Sequence, residues 1–384
     1  MTSTRRWLLK TGTAAIVVIA AGGAGWALTR TAAAAREPWR AASRGFGDPR
    51  LDALAYAILA PNPHNLQPWQ VRLESELQIS VFCDPNRRLP ATDPYDRQVV
   101  IGFGCFLEIL QQAAAANGFR AHIDPFPHGE PQPRLDERPI ATVTFSADPD
   151  VDVDPLFATV LTRRTCRLPF DTSRAVNAED LAGVIGATIA SVPAFGTVDD
   201  DRLARLRKLA VDAWKVEWAN PATRRESIDV TRIGKAEINE NPDGIYLEGA
   251  LMEGLNTLGM LTREQMADTE SRAFADSELF YADACRTAMA FAWTVTESNS
   301  RVDQLNAGHA WVRMQLAANA SGLAFHPLSQ ALQEFPEMAE HYRQIHTDLG
   351  ATDGQTVQMF ARLGYAADVP AAPRWPLEAR LLSI

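Results

Sequence analysis

The composition of the chain is typical of a folded globular protein. It has 384 residues, 46% of them hydrophobic and 22% charged, enough for two domains or one large domain built from two similar halves. Its net charge of −10 argues against a general nucleic-acid binder, which needs a clustered positive surface. The four cysteines are far apart and form no C-x-x-C pair, which indicates neither a zinc site nor a dense disulfide framework.

The first 35 residues are typical of an export signal. Residues 11–29 contain no charged side chain, and they follow a basic stretch that includes Arg5, Arg6 and Lys10. This arrangement resembles a twin-arginine signal, which carries folded proteins through the twin-arginine export machinery. Nineteen uncharged residues can also span a bilayer, so a retained N-terminal membrane anchor is the alternative. Both interpretations predict a periplasmic or cell-envelope location.

The rest of the chain alternates predicted helices and strands. Hydrophobic spacing predicts helices over residues 51–59, 96–117, 153–162, 178–189 and 199–218. Alternating patterns predict strands over residues 69–73, 77–82 and 140–145. Residues 222–275 are charged, glycine-punctuated and poorly periodic, which predicts either a lid that covers a site or a variable insertion.

One internal repeat divides the chain. Residues 104–118 align with residues 308–322, and six of the fifteen positions match, including both terminal glycines and Gln111 with Gln315. Arg97 and Arg301 fall at the same offset of 204 residues. Because this offset is close to half of the chain after the signal, we interpret it as a trace of an obligate dimer fused into one polypeptide.

Two arginine-bearing segments are candidate phosphate ligands. The run RRTCRLPF (residues 163–170) places three arginines within five residues, with the Thr165 hydroxyl between them, and guanidinium groups suit phosphate oxygens. The alternative for this run is a solvated cationic loop. Cys166 within it would have a lowered pKa if exposed, although a buried, packed side chain is the commoner case. Arg374 lies between two prolines near the C-terminus, where an exposed charge on an extended tail is the alternative.

The loop APNPHNLQPW (residues 60–69) is the third candidate. Its prolines stiffen the backbone, and its polar side chains can hydrogen-bond to the edge of a planar heterocycle. A polar turn with an internal side-chain cap is the alternative. The chain has no Rossmann fingerprint, P-loop, G-x-S-x-G or H-E-x-x-H motif, and its seven histidines are dispersed, so metal and serine-hydrolase chemistry have little support.

These motifs together resemble the flavin-dependent nitroreductase family. The loop resembles the A-P-S-x-x-N-x-Q-P-W motif, the basic run resembles the R-R-S-x-R-x-F phosphate motif, and the repeated segment resembles the core helix of the family. Residues 363–376 resemble its closing strand and C-terminal phosphate arginine. The resemblance spans nearly all of residues 48–380. The order of loop and phosphate motif is similar to the Acg-like branch, a fused pseudo-dimer with one surviving FMN site.

The resemblance implies an α+β, nitroreductase-like fold of two fused halves, residues 36–150 and 151–384, each with a central mixed or antiparallel sheet flanked by helices. It implies one FMN per chain and a protein competent as a monomer. The residues carried over for the phosphate are Arg163, Thr165, Arg167 and Arg374. Those for the isoalloxazine ring are Pro61, Asn62, Pro63, Asn65 and Gln67. Ser329 and Gln330 fall where the family faces the reactive edge of the flavin.

The function implied is an exported FMN oxidoreductase that reduces an electron-poor small molecule by hydride or two-electron transfer. The alternative is a binding protein that sequesters FMN beneath residues 222–275 without turnover. Departures from the family motifs bear on both functions, because Asn62 and Pro63 replace the small hydroxyl residues that are usual beside the isoalloxazine ring. Ala372 and Trp375 stand where positive residues are common, which removes charge near the phosphate.

Overall fold

A computed structural model describes residues 30–382, so the predicted export signal in residues 1–29 lies outside the described part of the chain. The described chain contains two separate four-stranded antiparallel sheets, each flanked by helices, and one two-stranded parallel sheet. The predicted α+β class with a sheet in each half is therefore confirmed, and both large sheets are purely antiparallel.

The first sheet uses residues 69–147. Its strands are β1 (Trp69–Ser75), β2 (Gln78–Cys83), β3 (Phe119–Pro125) and β4 (Ala141–Ala147), in the order β1-β2-β4-β3. The accompanying helices are α1 (Glu37–Ala41), α2 (Pro49–Ala57) and α3 (Arg97–Ala116). The sequence pattern misses β3 because only one of its residues, Ala121, is buried, so the strand carries almost no hydrophobic alternation.

The second sheet uses residues 194–364. Its strands are β5 (Ala194–Thr197), β8 (Ala290–Thr296), β9 (Ala324–Pro327) and β10 (Thr356–Gly364), in the order β5-β8-β10-β9. The helices of this half are α4 (Ala178–Gly186), α5 (Asp200–Ala219), α11 (Arg301–Ala320) and α12 (Ala339–Leu349). The predicted helix near residues 153–162 is a 3₁₀ helix, Pro155–Thr162, that begins on a proline.

The poorly periodic segment, residues 222–275, forms short helices and strands. It contains α6 (Pro221–Asp229), β6 (Thr231–Ile233), α7 (Gly234–Glu240), β7 (Ile245–Leu247), α8 (Ala250–Thr257), α9 (Arg263–Ala267) and the start of α10 (Arg272–Arg286). Side chains of Asn220, Thr262 and Ser271 cap three of these helices. Most of the elements are too short for hydrophobic periodicity to show in the sequence, and the prediction of a lid or a variable insertion stays a prediction. We call residues 221–257 the cover segment.

The two copies of the internal repeat cross at their glycines. A Cβ atom at Gly104 would lie 2.0 Å from the Leu305 carbonyl oxygen, and one at Gly308 would lie 2.0 Å from the Ile101 carbonyl oxygen. These contacts are reciprocal at the offset of 204 residues, so α3 and α11 pack around a local two-fold relation. Only glycine permits such a close backbone approach. The geometry supports the interpretation of the repeat as a fused dimer.

The first helical residues repeat this symmetry. Arg97 begins α3, is buried, and donates to the carbonyl oxygens of Leu332 (2.6 Å) and Gln358 (2.8 Å) in the second half. Arg301 begins α11, is buried, and donates to carbonyl oxygens of the first half, those of Pro131 and Pro133 (both 3.0 Å). Each arginine thus ties its helix to the opposite half of the chain.

One hydrophobic core runs through both halves and contains residues of both central helices. Among residues 30–382, α3 is the one helix long and apolar enough to cross a membrane, but 83% of its most apolar window is buried inside the protein. Its length and apolar character are therefore explained by its place as the central core helix of the first half.

Residues 30–36 pack against the cover segment. Ala32 and Ala35 are buried in a small cluster with Ile238 of α7, and Arg36 forms a 2.5 Å ion pair with Glu248. The predicted boundary after residue 35 therefore passes through a packed region that includes Ala32 and Ala35.

Candidate functional site

The basic run is held in place by a glutamine of the internal repeat. Gln315 of α11 is fully buried, and its Oε1 accepts a hydrogen bond from Arg163 Nη1 (3.1 Å). Its Nε2 donates to the Arg164 carbonyl oxygen and to Thr165 Oγ1, each at 3.1 Å. The central helix therefore fixes the conformation of residues 163–165 from beneath. The hydroxyl proton of Thr165 stays available, because its oxygen acts as the acceptor in this contact.

Arg163 is buried at the junction between the two halves. Its side chain is 2% exposed, and Nη2 donates to the Leu59 carbonyl oxygen of the first half (2.9 Å). Its Nε is buried with no hydrogen-bond partner among the described residues. Burial lowers the pKa of this guanidinium to about 10. The solvated-loop alternative therefore does not describe Arg163.

Arg374 joins the same junction from the C-terminal tail. It is 2% exposed and donates to the carbonyl oxygens of Ile58 (3.0 Å), Leu59 (3.0 Å) and Ala60 (2.9 Å), just beyond the end of α2. It also donates to its neighbour Pro373 (2.9 Å) and to Asn65 Oδ1. Burial, with the nearby charge of Arg163, lowers its pKa to about 9.

These contacts have two consequences. Arg163 and Arg374 both donate to the carbonyl oxygen of Leu59, so the basic run, the tail and the end of α2 meet at one point. All five N–H groups of the Arg374 guanidinium are engaged by protein acceptors. Arg374 therefore organises the junction in this structure, in contrast to the expectation of a donor directed at a phosphate.

Trp39 of α1 is a central residue of the junction. Its indole ring lies 5.6 Å from the guanidinium carbons of both Arg163 and Arg374, and 5.1 Å from that of Arg164. Its Nε1 donates to the Ala372 carbonyl oxygen (2.8 Å). An aromatic face is a favourable neighbour for a guanidinium. The sequence gives no sign of Trp39 as a site residue, because it belongs to no motif.

Arg167 faces the cover segment. It is partly buried, and its guanidinium carbon lies 5.0 Å from the ring centre of Tyr246 in β7. One of its nitrogens donates to the Tyr246 carbonyl oxygen (3.2 Å). The sequence gives no sign of Tyr246 as a site residue, since it lies in the poorly periodic segment and belongs to no motif.

The loop after α2 has an unusual backbone. His64, Asn65 and Gln67 have positive φ angles of 45°, 56° and 53°. His64 Nδ1 is buried and has no hydrogen-bond partner among the described residues. Burial, together with the charge of Arg167, lowers the pKa of His64 to about 4, so the imidazole is neutral at pH 7.

The amide side chains of this loop are used within the protein. Asn62 Oδ1 accepts from the Gln67 backbone N–H (2.8 Å). Gln67 is fully buried, and its side chain donates to the Pro242 carbonyl oxygen (2.9 Å) and accepts from the Trp375 N–H (2.9 Å). The loop packs on α3, where a Cβ at Gly102 would lie 3.3 Å from Pro63 Cδ.

Among the loop residues expected to line the ring, the amides of Asn62, Asn65 and Gln67 therefore hold the loop, tail and cover segment together. Asn65 does so through its Nδ2, which donates to the Pro373 carbonyl oxygen (3.1 Å), and through its contact with Arg374. Pro61 and Pro63 stay partly exposed.

Ser329 and Gln330 lie beyond the end of β9 in a second polar cluster. Gln330 is buried, and its Oε1 accepts from the Tyr281 hydroxyl (3.1 Å). Tyr281 also contacts the His326 ring edge-on, with centroids 5.6 Å apart. The hydrogen bonds of the described residues join neither Ser329 nor Gln330 to the loop or to the basic run, so the predicted set is not brought together completely.

Arg362 of β10 is the link between this cluster and the basic run. It is fully buried, donates to His326 Nδ1 (2.9 Å), and donates to the Leu168 (2.8 Å) and Cys166 (3.3 Å) carbonyl oxygens. Its Nη1 is buried without a partner among the described residues, and burial lowers its pKa to about 10. Cys166 is itself buried, and burial raises its pKa, so a reactive thiolate is not supported.

The arginines of this region lack acidic partners. Within residues 30–382, no ion pair involves the arginines that surround the junction, which are Arg163, Arg164, Arg167, Arg362 and Arg374. Buried charges in proteins are ordinarily paired. The fold and the site thus define a class of protein. It has two α+β halves, and the junction between them carries a surplus of buried positive charge that suits an anionic ligand.

Comparisons with known proteins agree with the family predicted from the motifs. The chain is 27% identical over 344 residues to a Mycobacterium tuberculosis protein named "Putative NAD(P)H nitroreductase", covering 86% of this chain and 88% of that protein. It is 37% identical over 120 residues to the Acg protein of the same organism, which carries the same description, covering 31% of this chain and 34% of that protein. The predicted nitroreductase resemblance is thereby confirmed.

Further matches are partial or distant. An uncharacterized M. tuberculosis protein is 36% identical over 126 residues, so the chain spans about a third of the length of this relative and of Acg. Solved structures include an FMN-bound nitroreductase from Bacteroides fragilis (15% identity, 56% of this chain and 90% of that chain, TM-score 0.31). Another is NfnB from Mycobacterium smegmatis (18% identity, 57% and 92%, TM-score 0.34). No family model matches.

Proposed function

We propose that this chain binds one FMN at the junction and acts as a nitroreductase-like oxidoreductase on an electron-poor small molecule. The observation that carries the proposal is the buried positive charge that no carboxylate neutralises within residues 30–382. Arg163 Nε, Arg362 Nη1 and His64 Nδ1, all buried without partners there, mark the same region. A phosphate dianion beside a flat heterocycle suits this set of groups.

The residues present fit that cofactor. Arg163, Thr165 and Arg167 would hold the phosphate, because each retains a donor that the described residues do not use. Gln315 and Arg374 would position these donors, since they fix the basic run and the end of α2. FMN, when bound, supplies hydride or two-electron transfer, and the protein supplies orientation and electrostatics.

The cover segment would exclude water from this site. The Gly244 N–H donates to the Asn65 carbonyl oxygen (3.2 Å), and the Tyr246 carbonyl oxygen accepts from Arg167. The neutral His64 offers one buried, unpaired hydrogen-bonding atom and no competing charge. Export by the twin-arginine route, a periplasmic or cell-envelope location and a monomeric state remain part of the proposal.

The tight cover favours a second candidate function, storage of FMN without turnover. Glu226 of α6 accepts hydrogen bonds from the Ala91 N–H (2.8 Å), the Thr92 N–H (2.9 Å) and the Thr92 hydroxyl (2.6 Å), so the cover is bonded to the first half as well. A segment fastened at several points opens rarely. Such a protein would hold FMN but admit no bulky reductant.

Titration of the purified protein with FMN tests the proposal. We expect saturation at one FMN per chain, measured by the absorbance of released flavin against protein concentration. Bleaching of the flavin by both NADPH and dithionite, followed by reoxidation with a nitroaromatic compound under anaerobic conditions, would support turnover. Bleaching by dithionite alone would support storage. Two flavins per chain, or no saturable binding, would contradict the assignment of a single site.

A further inference from the structure

The end of the cover segment and the turn that follows it present an apolar surface that the described chain leaves bare. Within residues 30–382, α8 buries none of its residues. Leu251, Leu258 and Met260 are exposed by 68%, 74% and 55% on this helix and the turn that follows. Residues 250–261, which we call the docking helix, contain only one charged side chain, that of Glu253. Contiguous exposed apolar side chains of this size mark an interaction surface.

The position of Arg30 indicates what this surface contacts. Arg30, the first described residue, forms a 3.0 Å ion pair with Glu253 of the docking helix. The nineteen residues that immediately precede Arg30 carry no charged side chain. The uncharged stretch of residues 11–29 therefore joins the folded body beside this bare apolar helix, and both would meet the same apolar phase.

We propose that the docking helix rests on a lipid bilayer and inserts Leu251, Leu258 and Met260 among the acyl chains. Helices with an exposed apolar face lie in this way at the interface of membranes. Residues 250–261 contain no lysine or arginine, and Glu253 is paired with Arg30, so the docking helix itself offers no basic patch for anionic headgroups. Binding is therefore driven by apolar insertion and does not depend on lipid charge. The inference does not require that the chain bind FMN.

Depth-dependent quenching in the full-length protein tests this contact. A single cysteine at position 258 (Leu258→Cys) carries an environment-sensitive fluorophore, and phosphatidylcholine vesicles contain brominated acyl chains. The matched control is Leu77→Cys, because Leu77 is 41% exposed in the turn between β1 and β2. The four native cysteines are buried, so labelling occurs at the introduced site. We expect at least about threefold stronger quenching at position 258 than at position 77.

The control position separates docking from simple tethering, since an apolar N-terminal segment alone would bring both positions equally near the membrane. Equal quenching at the two positions overturns the proposal. An apolar emission at position 258 before vesicles are added also overturns it, because the chain itself would then cover the helix. In the labelled Leu258→Cys protein, Leu251→Glu with Met260→Glu should reduce quenching to the level at position 77, and unchanged quenching would contradict insertion. A requirement for anionic lipid would contradict the apolar mechanism.

Discussion

The replacement Arg167→Ala is the most direct test of the phosphate site. Among residues 30–382, the hydrogen bond of its guanidinium is the one to the Tyr246 carbonyl oxygen, so most of its donors are available to a ligand. A hydrogen bond to a charged group contributes about 1.5–3 kcal/mol. Its loss should weaken FMN binding roughly 10- to 100-fold at about 1.4 kcal/mol per decade. Riboflavin, which lacks the phosphate, should change by less than about twofold.

Arg374→Ala provides the contrasting variant. Its five engaged N–H groups satisfy the carbonyl oxygens of Ile58, Leu59 and Ala60 as well as Pro373 and Asn65. The Leu59, Ala60 and Pro373 carbonyl oxygens keep other donors, but the Ile58 carbonyl oxygen and Asn65 Oδ1 would lose theirs. Leaving these two acceptors unpaired should lower the free energy of unfolding by about 2–5 kcal/mol. FMN and riboflavin should then lose affinity together, because the junction itself is disturbed.

Titration by flavin fluorescence quenching, at fixed ionic strength, gives both affinities for each variant, and urea unfolding gives the stability. The reasoning predicts a selective loss for Arg167→Ala and a shared loss with lower stability for Arg374→Ala. Equal losses of FMN and riboflavin affinity in a stable Arg167→Ala protein would refute a phosphate contact. Unchanged FMN affinity would refute the assignment of the basic run to the site.

Three further predictions concern stability. Gly104→Ala should lower the free energy of unfolding by about 3 kcal/mol, because the new Cβ would lie 2.0 Å from the Leu305 carbonyl oxygen. The control Gly183→Ala should leave the stability unchanged, because there is open space around Gly183. Equal urea midpoints for the two variants would contradict the close helix contact. Burial raises the pKa of Glu217 from 4.5 to about 7, so the folded state holds its proton more tightly and stability should fall as pH rises from 4.5 to 7. Glu217→Gln should remove up to about 3 kcal/mol of that decline, measured as urea midpoints at pH 5 and pH 8, and an identical slope in both proteins would count against it. A chain that begins at Arg36 should have a free energy of unfolding about 1–2 kcal/mol lower than one that begins at Arg30, because it lacks the buried Ala32 and Ala35. Equal melting temperatures of the two chains would show that these contacts contribute nothing.

The sequence alone was enough for the features that depend on local pattern. The stiff loop at residues 60–69, the basic run at residues 163–167 and the repeat around Gly104 and Gly308 were all legible as motifs. Helix α3 was predicted within one residue at each end because it is long and continuously apolar. These signals were sufficient for the α+β class and for the family resemblance.

Tertiary structure decided which side chains are free to bind a ligand. Arg167 and Arg374 look alike in sequence, yet only the fold shows that Arg374 uses all of its donors within the protein, three of them on carbonyl oxygens about 315 residues away. Trp39, Tyr246 and Arg362 carry no motif, and they join the site through packing between segments distant in sequence. A sequence motif shows which functional groups a side chain has. Whether those groups are free to bind a ligand depends on burial and on partners from remote segments. Burial and these partners exist only in the folded chain.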